Sequence, residues 1–386
     1  MSILANLANG VGGFFFVLFS FLLVLTVVVF FHELGHFLVA RWCGVRISAF
    51  SIGFGPEIAG FVDRHGTRWR FAWIPLGGYV KFMDDDNAAS APSREKLEQM
   101  SPEERAGAFH AKPLWQRAAV VAAGPVANFL LAIVIFALMF SLVGVRSTAP
   151  RVDEVVADSP AATAGFKAGD VILDIDGSKV DSFNEVLRIV SAAPGRQLQI
   201  TVDRGGVPVK LQVTPERQEV SDNLGGKIAR GIIGIRRVAT ADSVEVRRAG
   251  PVEAVWLGVK ETTFIVTSTL NYLGDVVVGR QSADQFGGPI RIAEVSAQVA
   301  KVGPEAMLNL IAVISVSIGL INLFPIPLLD GGHLLFYAIE GLLRKPLSER
   351  TQEIGFRIGL AVVLMLMAFA TLNDLPILRR WLTGNG

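Results

Sequence analysis

The sequence has little charge and almost no cysteine for its length. Only 18% of its 386 residues are Asp, Glu, Lys or Arg, whereas 51% are hydrophobic. This composition excludes an ordinary soluble protein, yet it is too charged for a chain that is wholly embedded in a membrane. The net charge of +1 argues against a nucleic-acid-binding surface. The single cysteine, Cys43, excludes an intrachain disulfide, and we interpret it as a packed free thiol.

No basic residue precedes the first apolar run, Gly12–Phe31, and that run is too long for a signal-peptide core. We therefore expect no cleavable signal peptide at this position. The run carries no charge and is long enough to cross a bilayer as a helix, which takes about 20 residues. The sequence predicts four spans, at Gly12–Ala40, Ala118–Val145, Met307–Leu329 and Ile358–Leu372.

The loop charges predict how these spans are oriented. The connection between residues 41 and 117 is rich in Arg and Lys, and Arg344, Lys345 and Arg350 follow the third span. The positive-inside rule places both connections in the cytoplasm and the N-terminus outside. The pair Arg379 and Arg380 in the tail argues weakly the other way, because four spans also put the tail outside.

The segment Val252–Gly279 is apolar but is interrupted by charged residues. They are Glu253, Lys260, Glu261 and Asp275. Central charges penalise insertion, so the segment is predicted to be an amphipathic helix in the membrane interface. The alternative is a fifth span, which would put the two basic connections on opposite sides of the membrane.

The first span ends in a motif that carries chemistry, His32-Glu33-Leu-Gly-His36. On a helix, His32 and His36 share a face because they are four residues apart. Two such imidazoles bind one zinc ion, and Glu33 beside them acts as a general base. Ionisable groups at membrane depth are costly and usually functional, which argues against coincidence.

A catalytic zinc needs a third protein ligand, and the third span offers one at its end. Spans one and three run in the same direction, and roughly twenty apolar residues precede the polar group in each. Asp330 is therefore expected at the depth of His32 and His36, near the cytoplasmic face. His333 is the rival ligand, and the donor chemistry alone does not choose between them. Pro325 and Pro327 predict irregular backbone just before Asp330.

Two further segments are rich in β-strand signals. Residues Arg68–Phe82 hold two β-prone runs around Pro75-Leu-Gly-Gly78, which predicts a hairpin that turns at those residues. Residues Arg151–Arg217 alternate short strand-like runs with turn signals, which predicts a small β-rich domain. The strand-like run Ile232–Val238 that follows is too short to be a second copy.

The motif HELGH together with Asn322-Leu-Phe-Pro-Ile-Pro-Leu-Leu-Asp330-Gly-Gly resembles the site-2 protease family of intramembrane zinc metalloproteases. More narrowly, the chain is similar to the regulator of sigma-E protease branch. The segments Phe50–Pro56, Ile74–Phe82 and Gly124–Asn128 support the resemblance, which covers nearly the whole chain. It implies one zinc ion per chain, held by His32, His36 and Asp330, with Glu33 activating water. It also implies that Asn322 contributes to the site.

The resemblance makes residues near Arg68–Phe82 a membrane-associated loop that holds substrate, with Gly77, Gly78 and Tyr79 as substrate-binding candidates. The β-rich segment is similar to a protease-associated PDZ domain, which can bind a peptide or only restrict access. Many relatives in this branch carry two such domains in tandem, whereas one is evident here.

The expected fold is a polytopic α-helical membrane protein with four transmembrane helices and an inserted PDZ domain. Two pairs of transmembrane helices are predicted to flank the PDZ domain in the sequence. The predicted parts are residues 1–146 with spans one and two, the PDZ domain at 147–217, a juxtamembrane amphipathic region at 218–305, and residues 306–386 with spans three and four.

The expected function is zinc-dependent cleavage of single-span membrane proteins. The resemblance implies substrates such as an anti-sigma factor or remnant signal peptides, and a role in a bacterial stress response. The chain would lie in the inner membrane in contact with lipid, with the PDZ domain outside the cytoplasm and no nucleic-acid partner. Three alternatives stay open. They are an ion transporter or channel that uses the same polar residues, a membrane-anchored PDZ adaptor, and a zinc protease acting on soluble proteins.

Overall fold

A computed structural model describes residues 2–84, 100–221, 227–238, 245–281, 287–375, and the single residues 283 and 377. The chain divides into two compact units. The first contains the N-terminal helix, the first two strands and the C-terminal helices, and the second contains the remaining strands.

The helices in chain order are α1 (Ser2–Trp42), α2 (Pro102–Gly107), α3 (Leu114–Leu142), α4 (Pro160–Ala164), α5 (Phe183–Ser191), α6 (Pro251–Val277), α7 (Pro289–Val302), α8 (Pro304–Asn322), α9 (Asp330–Leu343) and α10 (Glu349–Asn373). The strands are β1 (Ile47–Val62), β2 (Arg68–Phe82), β3 (Val145–Ser147), β4 (Glu154–Val155), β5 (Val171–Ile175), β6 (Ser178–Lys179), β7 (Leu198–Arg204), β8 (Val207–Val213), β9 (Glu216–Ser221), β10 (Lys227–Ile232), β11 (Ile235–Arg236) and β12 (Glu245–Arg247).

Within the described part of the chain, four helices are long and apolar enough to cross a membrane. They are α1 from Gly12, α3, α8, and α10 from Arg350. The predicted class of four spans with an inserted β-rich unit is confirmed. The third span is shorter than expected, because the helix ends at Asn322 rather than continuing to Leu329. Helix α6, which covers the ambiguous segment Val252–Gly279, is not among these four.

The two β-prone runs predicted to form a hairpin do not pair with each other. Residues 68–71 and 78–81 both belong to β2 but lie on opposite sides of residues 49–52 of β1, so the chain bends back between them, near the predicted residues. The turn that joins β1 to β2 lies at residues 63–67. The Asp63 carboxylate accepts hydrogen bonds from the His65 and Thr67 backbone amides, at 2.8 and 3.1 Å, which closes that turn.

The register of β1 and β2 makes this small sheet wider than a simple hairpin. Ser51 of β1 lies opposite both Tyr79 and Arg70 of β2, so residues 49–52 have β2 neighbours on two sides. Within the described part of the chain, residues 78–81 pair with residues 49–52 and lie at one edge of the sheet.

The core of the first unit packs this sheet against α1. Phe50 is fully buried, and its ring lies 5.9 Å from Phe30, 5.4 Å from Phe37 and 4.4 Å from Trp69, centroid to centroid. Aromatic contacts at these distances contribute about 0.5–1.5 kcal/mol each beyond the area they bury. Because Phe30 and Phe37 flank the His-Glu motif of α1, the cluster fixes β1 and β2 beside it.

The second unit is built around the four-stranded antiparallel sheet β6-β5-β7-β8. Alternate residues of β7, Leu198, Ile200 and Val202, are fully buried, and Val186 and Val190 of α5 complete that core. The core continues past Arg217 to Ile233 and Ile235, since β10 pairs with β9 and β11 pairs with β4.

Candidate metal centre

The structure brings the two motif histidines and Asp330 together. On α1, the Nε2 atoms of His32 and His36 lie 3.3 Å apart. Asp330 Oδ2 lies 3.2 Å from His32 Nε2 and 3.5 Å from His36 Nε2. The three donor atoms all lie within 4.8 Å of one another, in a group that could hold a metal ion. Residues nearly 300 positions apart in sequence thus converge on one point.

This donor set fits a catalytic zinc ion. Two imidazole nitrogens and one carboxylate oxygen are a known ligand set that leaves a fourth position for water. Asp330 Oδ2 is buried and accepts no hydrogen bond from any described residue. A buried carboxylate oxygen without a donor is costly unless a cation is its partner.

Asp330 is positioned by an irregular loop between α8 and α9. The loop spans residues 323–329, and Asp330 is the first residue of α9. Within it, Leu328 has a φ of +101°, which a side-chain-bearing residue rarely adopts. Strain of this kind costs on the order of 1–3 kcal/mol and is concentrated at functional sites. The predicted irregular backbone before Asp330 is present.

Helix α3 supports both histidines, a role that the sequence analysis did not assign to it. The Val120 carbonyl oxygen lies 2.8 Å from His36 Nδ1, and Asn128 Nδ2 lies 3.2 Å from His32 Nδ1. Between them, a Cβ at Gly124 would lie 2.2 Å from His36 Nε2, so only glycine fits there. The signal that could have identified this support is an asparagine in the middle of an apolar span.

Glu33 lies beside the sheet edge. A Cβ at Gly78 of β2 would be 3.0 Å from Glu33 Cγ, so the strand and the motif glutamate are in close contact. The neighbouring Tyr79 accepts a hydrogen bond from Arg70 at 2.9 Å and stacks on Phe54 at 6.1 Å. Gly77 also contacts Phe54, since a Cβ there would lie 2.5 Å from its ring.

Two other predicted residues lie further along the chain. Asn322 is the last residue of α8 and is half-buried, separated from Asp330 by the loop. His333, the rival ligand, lies on α9 and packs its ring against Phe356, with centroids 5.3 Å apart. Among the described residues, the group of possible metal ligands contains Asp330 and not His333.

Comparison with known proteins finds metalloproteases that match most of this chain. A candidate zinc metalloprotease of Agrobacterium fabrum is 52% identical over 358 residues, which cover 93% of this chain and 95% of that protein. Another from Rhizobium meliloti is 52% identical over 365 residues, covering 95% and 96%. Metalloprotease MmpA of Caulobacter vibrioides is 41% identical over 385 residues, covering 94% and 96%.

Among solved structures, the PDZ domain of an SdrC-like protein from Listeria monocytogenes is 27% identical and covers 24% of this chain and 92% of its own. Its TM-score of 0.20 is too low to support a conclusion about the fold.

The match to Peptidase family M50 spans residues 20–366, which includes α1 with its histidines, the β-rich unit and Asp330. The prediction of a zinc metalloprotease of the site-2 protease family is thereby confirmed. On the strength of this match and of the three metalloprotease relatives, the chain belongs to peptidase family M50.

Proposed function

We propose that this protein is an intramembrane endopeptidase that hydrolyses a peptide bond within or beside the transmembrane segment of a single-span substrate. The observation that carries the proposal is the convergence of His32, His36 and Asp330, with Glu33 adjacent, at the end of an apolar helix. A site built at that position favours a substrate that itself lies in the membrane.

We assign zinc binding to His32 Nε2, His36 Nε2 and Asp330. When bound, zinc supplies a Lewis acid that polarises the scissile carbonyl and lowers the pKa of water to about 7. Val120 and Asn128 hold the rings of the two histidines through their Nδ1 atoms. Partners of this kind orient metal-binding histidines and raise their basicity.

Glu33 is assigned the proton transfers. Its carboxylate takes a proton from the attacking water and returns it to the amine nitrogen as the peptide bond breaks. Glu33 follows His32 directly on α1 and touches Gly78 of the sheet edge. The base thus lies between the proposed metal ligands and the strand that we propose to hold the substrate.

A helical substrate must unwind locally, because its carbonyls are occupied by internal hydrogen bonds. We propose that the edge formed by residues 78–81 receives the unwound segment as an added strand. Gly77, Gly78 and Tyr79 would contact that segment nearest Glu33. Asn322 is proposed to orient the segment or to stabilise the developing oxyanion.

The loop charges support an orientation with this site near the cytoplasmic side of a bacterial inner membrane and the β-rich unit outside. We propose that this unit is a PDZ domain that either binds a peptide or limits access to the site. The proposed substrates are anti-sigma factors or remnant signal peptides, as in regulated intramembrane proteolysis.

The test is cleavage of a purified single-span reporter by the full-length protein in detergent, wild type against Glu33→Gln. We expect the substitution to lower the rate by about 100-fold or more while zinc content is retained. The matched control is Glu305→Gln, an exposed residue in the first turn of α8. Full activity in Glu33→Gln contradicts the proposal. No cleavage by zinc-loaded wild type would favour an ion pathway or an adaptor instead.

A further inference from the structure

Asn128 carries a polar side chain in the middle of an apolar helix. It lies on α3 and is completely buried, with 0% of its surface exposed. Its side-chain amide is placed 3.2 Å from His32 Nδ1. Its Oδ1 atom has no hydrogen-bond partner in the described part of the chain. Burying an amide in this way is unfavourable unless it has a specific partner.

The role of His32 determines whether its partner must donate or accept a hydrogen bond. A neutral imidazole that offers Nε2 to a metal carries its hydrogen on Nδ1, and Nδ1 is then a donor. It needs an acceptor, whereas Asn128 as placed presents its NH2 group. The oxygen and nitrogen of an amide are exchanged by a half-turn about the last side-chain bond. That half-turn gives Nδ1–H to Oδ1 and leaves the NH2 group in the position Oδ1 now holds.

Asn128 is also tied to the helix that leads to Asp330. Its backbone carbonyl accepts a hydrogen bond from the Ser315 hydroxyl of α8 at 2.9 Å, and this bond is buried. A Cβ at Gly319, one turn later on α8, would lie 3.2 Å from Asn128 Cβ. Residue 128 therefore contacts His32 with its side chain and α8 with its backbone.

We propose that Asn128 is a positioning residue that fixes the tautomer and ring orientation of His32, so that Nε2 faces His36 and Asp330. The inference rests on the proposed function, because it assumes that His32 binds zinc through Nε2. It assigns to α3 a role that neither the zinc motif nor the Asp330 loop supplies. Residues in this position typically change metal affinity by 10–100-fold when replaced.

The experiment measures zinc affinity of the full-length protein in detergent by competition with a coloured chelator. Asn128→Leu keeps the size of the side chain but removes the acceptor, and we expect it to weaken zinc binding by about 10–100-fold. Asn128→Asp restores an acceptor without the stranded NH2 group, and we expect affinity within about threefold of wild type. The control is Asn309→Leu, the same substitution at an exposed position of α8.

A second readout separates positioning from packing. The absorption spectrum of the Co2+-substituted protein reports ligand geometry, and we expect it to change in Asn128→Leu and to return in Asn128→Asp. Equal zinc affinity in wild type and Asn128→Leu overturns the inference, as does equal loss in Asn128→Leu and Asn128→Asp. A wild-type protein that binds no zinc would instead overturn the proposed metal site itself.

Discussion

Gly78 of β2 approaches Glu33 of α1 so closely that a methyl group on residue 78 would lie 3.0 Å from Glu33 Cγ. The same methyl group would lie 2.8 Å from the Ser51 carbonyl oxygen and 3.2 Å from Val29 Cγ1. Backbone on one side and the motif glutamate on the other leave no room for a side chain. This one contact therefore fixes the position of the sheet edge relative to Glu33, the proposed base.

Replacing Gly78 with Ala should consequently impair cleavage. Either the strand or Glu33 must move by several tenths of an ångström, and a displacement of about 1 Å costs on the order of 100-fold in rate. We expect a loss of 10–100-fold in kcat/KM with zinc content unchanged, measured by reporter cleavage and metal analysis. Gly13→Ala is the control, because nothing lies within 4 Å of a Cβ at that position. Unimpaired cleavage by Gly78→Ala would refute the placement.

The metal site shows how far sequence reasoning reaches. The spacing of His32 and His36 places both on one face of a helix, and Glu33 directly follows His32. Asp330 could be paired with them because roughly twenty apolar residues precede the polar group in each of the two predicted spans. Asn128 left a signal, an amide in the middle of an apolar span, but the support from the Val120 carbonyl was not predictable. Every residue has a backbone carbonyl, so the sequence does not show which one will contact a histidine ring. Helix α3 also contains no residue of the zinc motif.

The β-sheets show a second limit of prediction from the sequence. The Leu-Gly-Gly sequence before Tyr79 marks a bend in the chain, and its glycines also allow close approach to Glu33 and Phe54. The sequence did not reveal that the two runs pair with β1 on either side of residues 49–52, or that Asp63 closes the turn between β1 and β2. Likewise, Ile233 and Ile235 belong to the core of the second unit only because distant strands pair.

Gly359 of α10 tests how the Asp330 loop is held. A Cβ at this position would lie 1.6 Å from the Pro327 carbonyl oxygen, so the fourth span touches the loop three residues before Asp330. Gly359→Ala must displace the loop or the helix, at a cost of about 1–3 kcal/mol. We expect zinc affinity to fall by about 10-fold or more, measured by chelator competition.

The matched variant for Gly359→Ala is Gly274→Ala on α6, where the space around a Cβ is open. It should bind zinc as the wild type does. Wild-type affinity in Gly359→Ala would show that the loop is held by other contacts.

The ion pair between Asp170 and Arg204 predicts a pH dependence in the second unit. Arg204 donates to both carboxylate oxygens at 2.8 Å, and Asp170 is 0% exposed. Burial alone would raise the pKa of Asp170, but the hydrogen bonds from Arg204 and from the Lys167 amide hold it below its ordinary value. The stability that the carboxylate contributes is therefore complete above pH of about 4 and is lost as pH falls through the lowered pKa.

Asp170→Asn should remove that dependence and destabilise the unit by about 1.5–3 kcal/mol at pH 7, because it weakens a charged hydrogen bond. Hydrogen exchange of the β5 and β7 amides in the full-length protein, compared between pH values, measures both effects. Asp181→Asn, at an exposed carboxylate, serves as the reference. Equal protection in Asp170→Asn and wild type at every pH would rule out this role for the pair.

The central claim is that one metal ion is held jointly by His32 and His36 of α1 and by Asp330, the first residue of α9. Zinc content of purified Asp330→Ala, measured beside wild type and the exposed-site variant Asp181→Ala, tests it most directly. The account predicts one zinc per chain in wild type and in Asp181→Ala, and little or none in Asp330→Ala. One tightly bound zinc per chain in Asp330→Ala would contradict it.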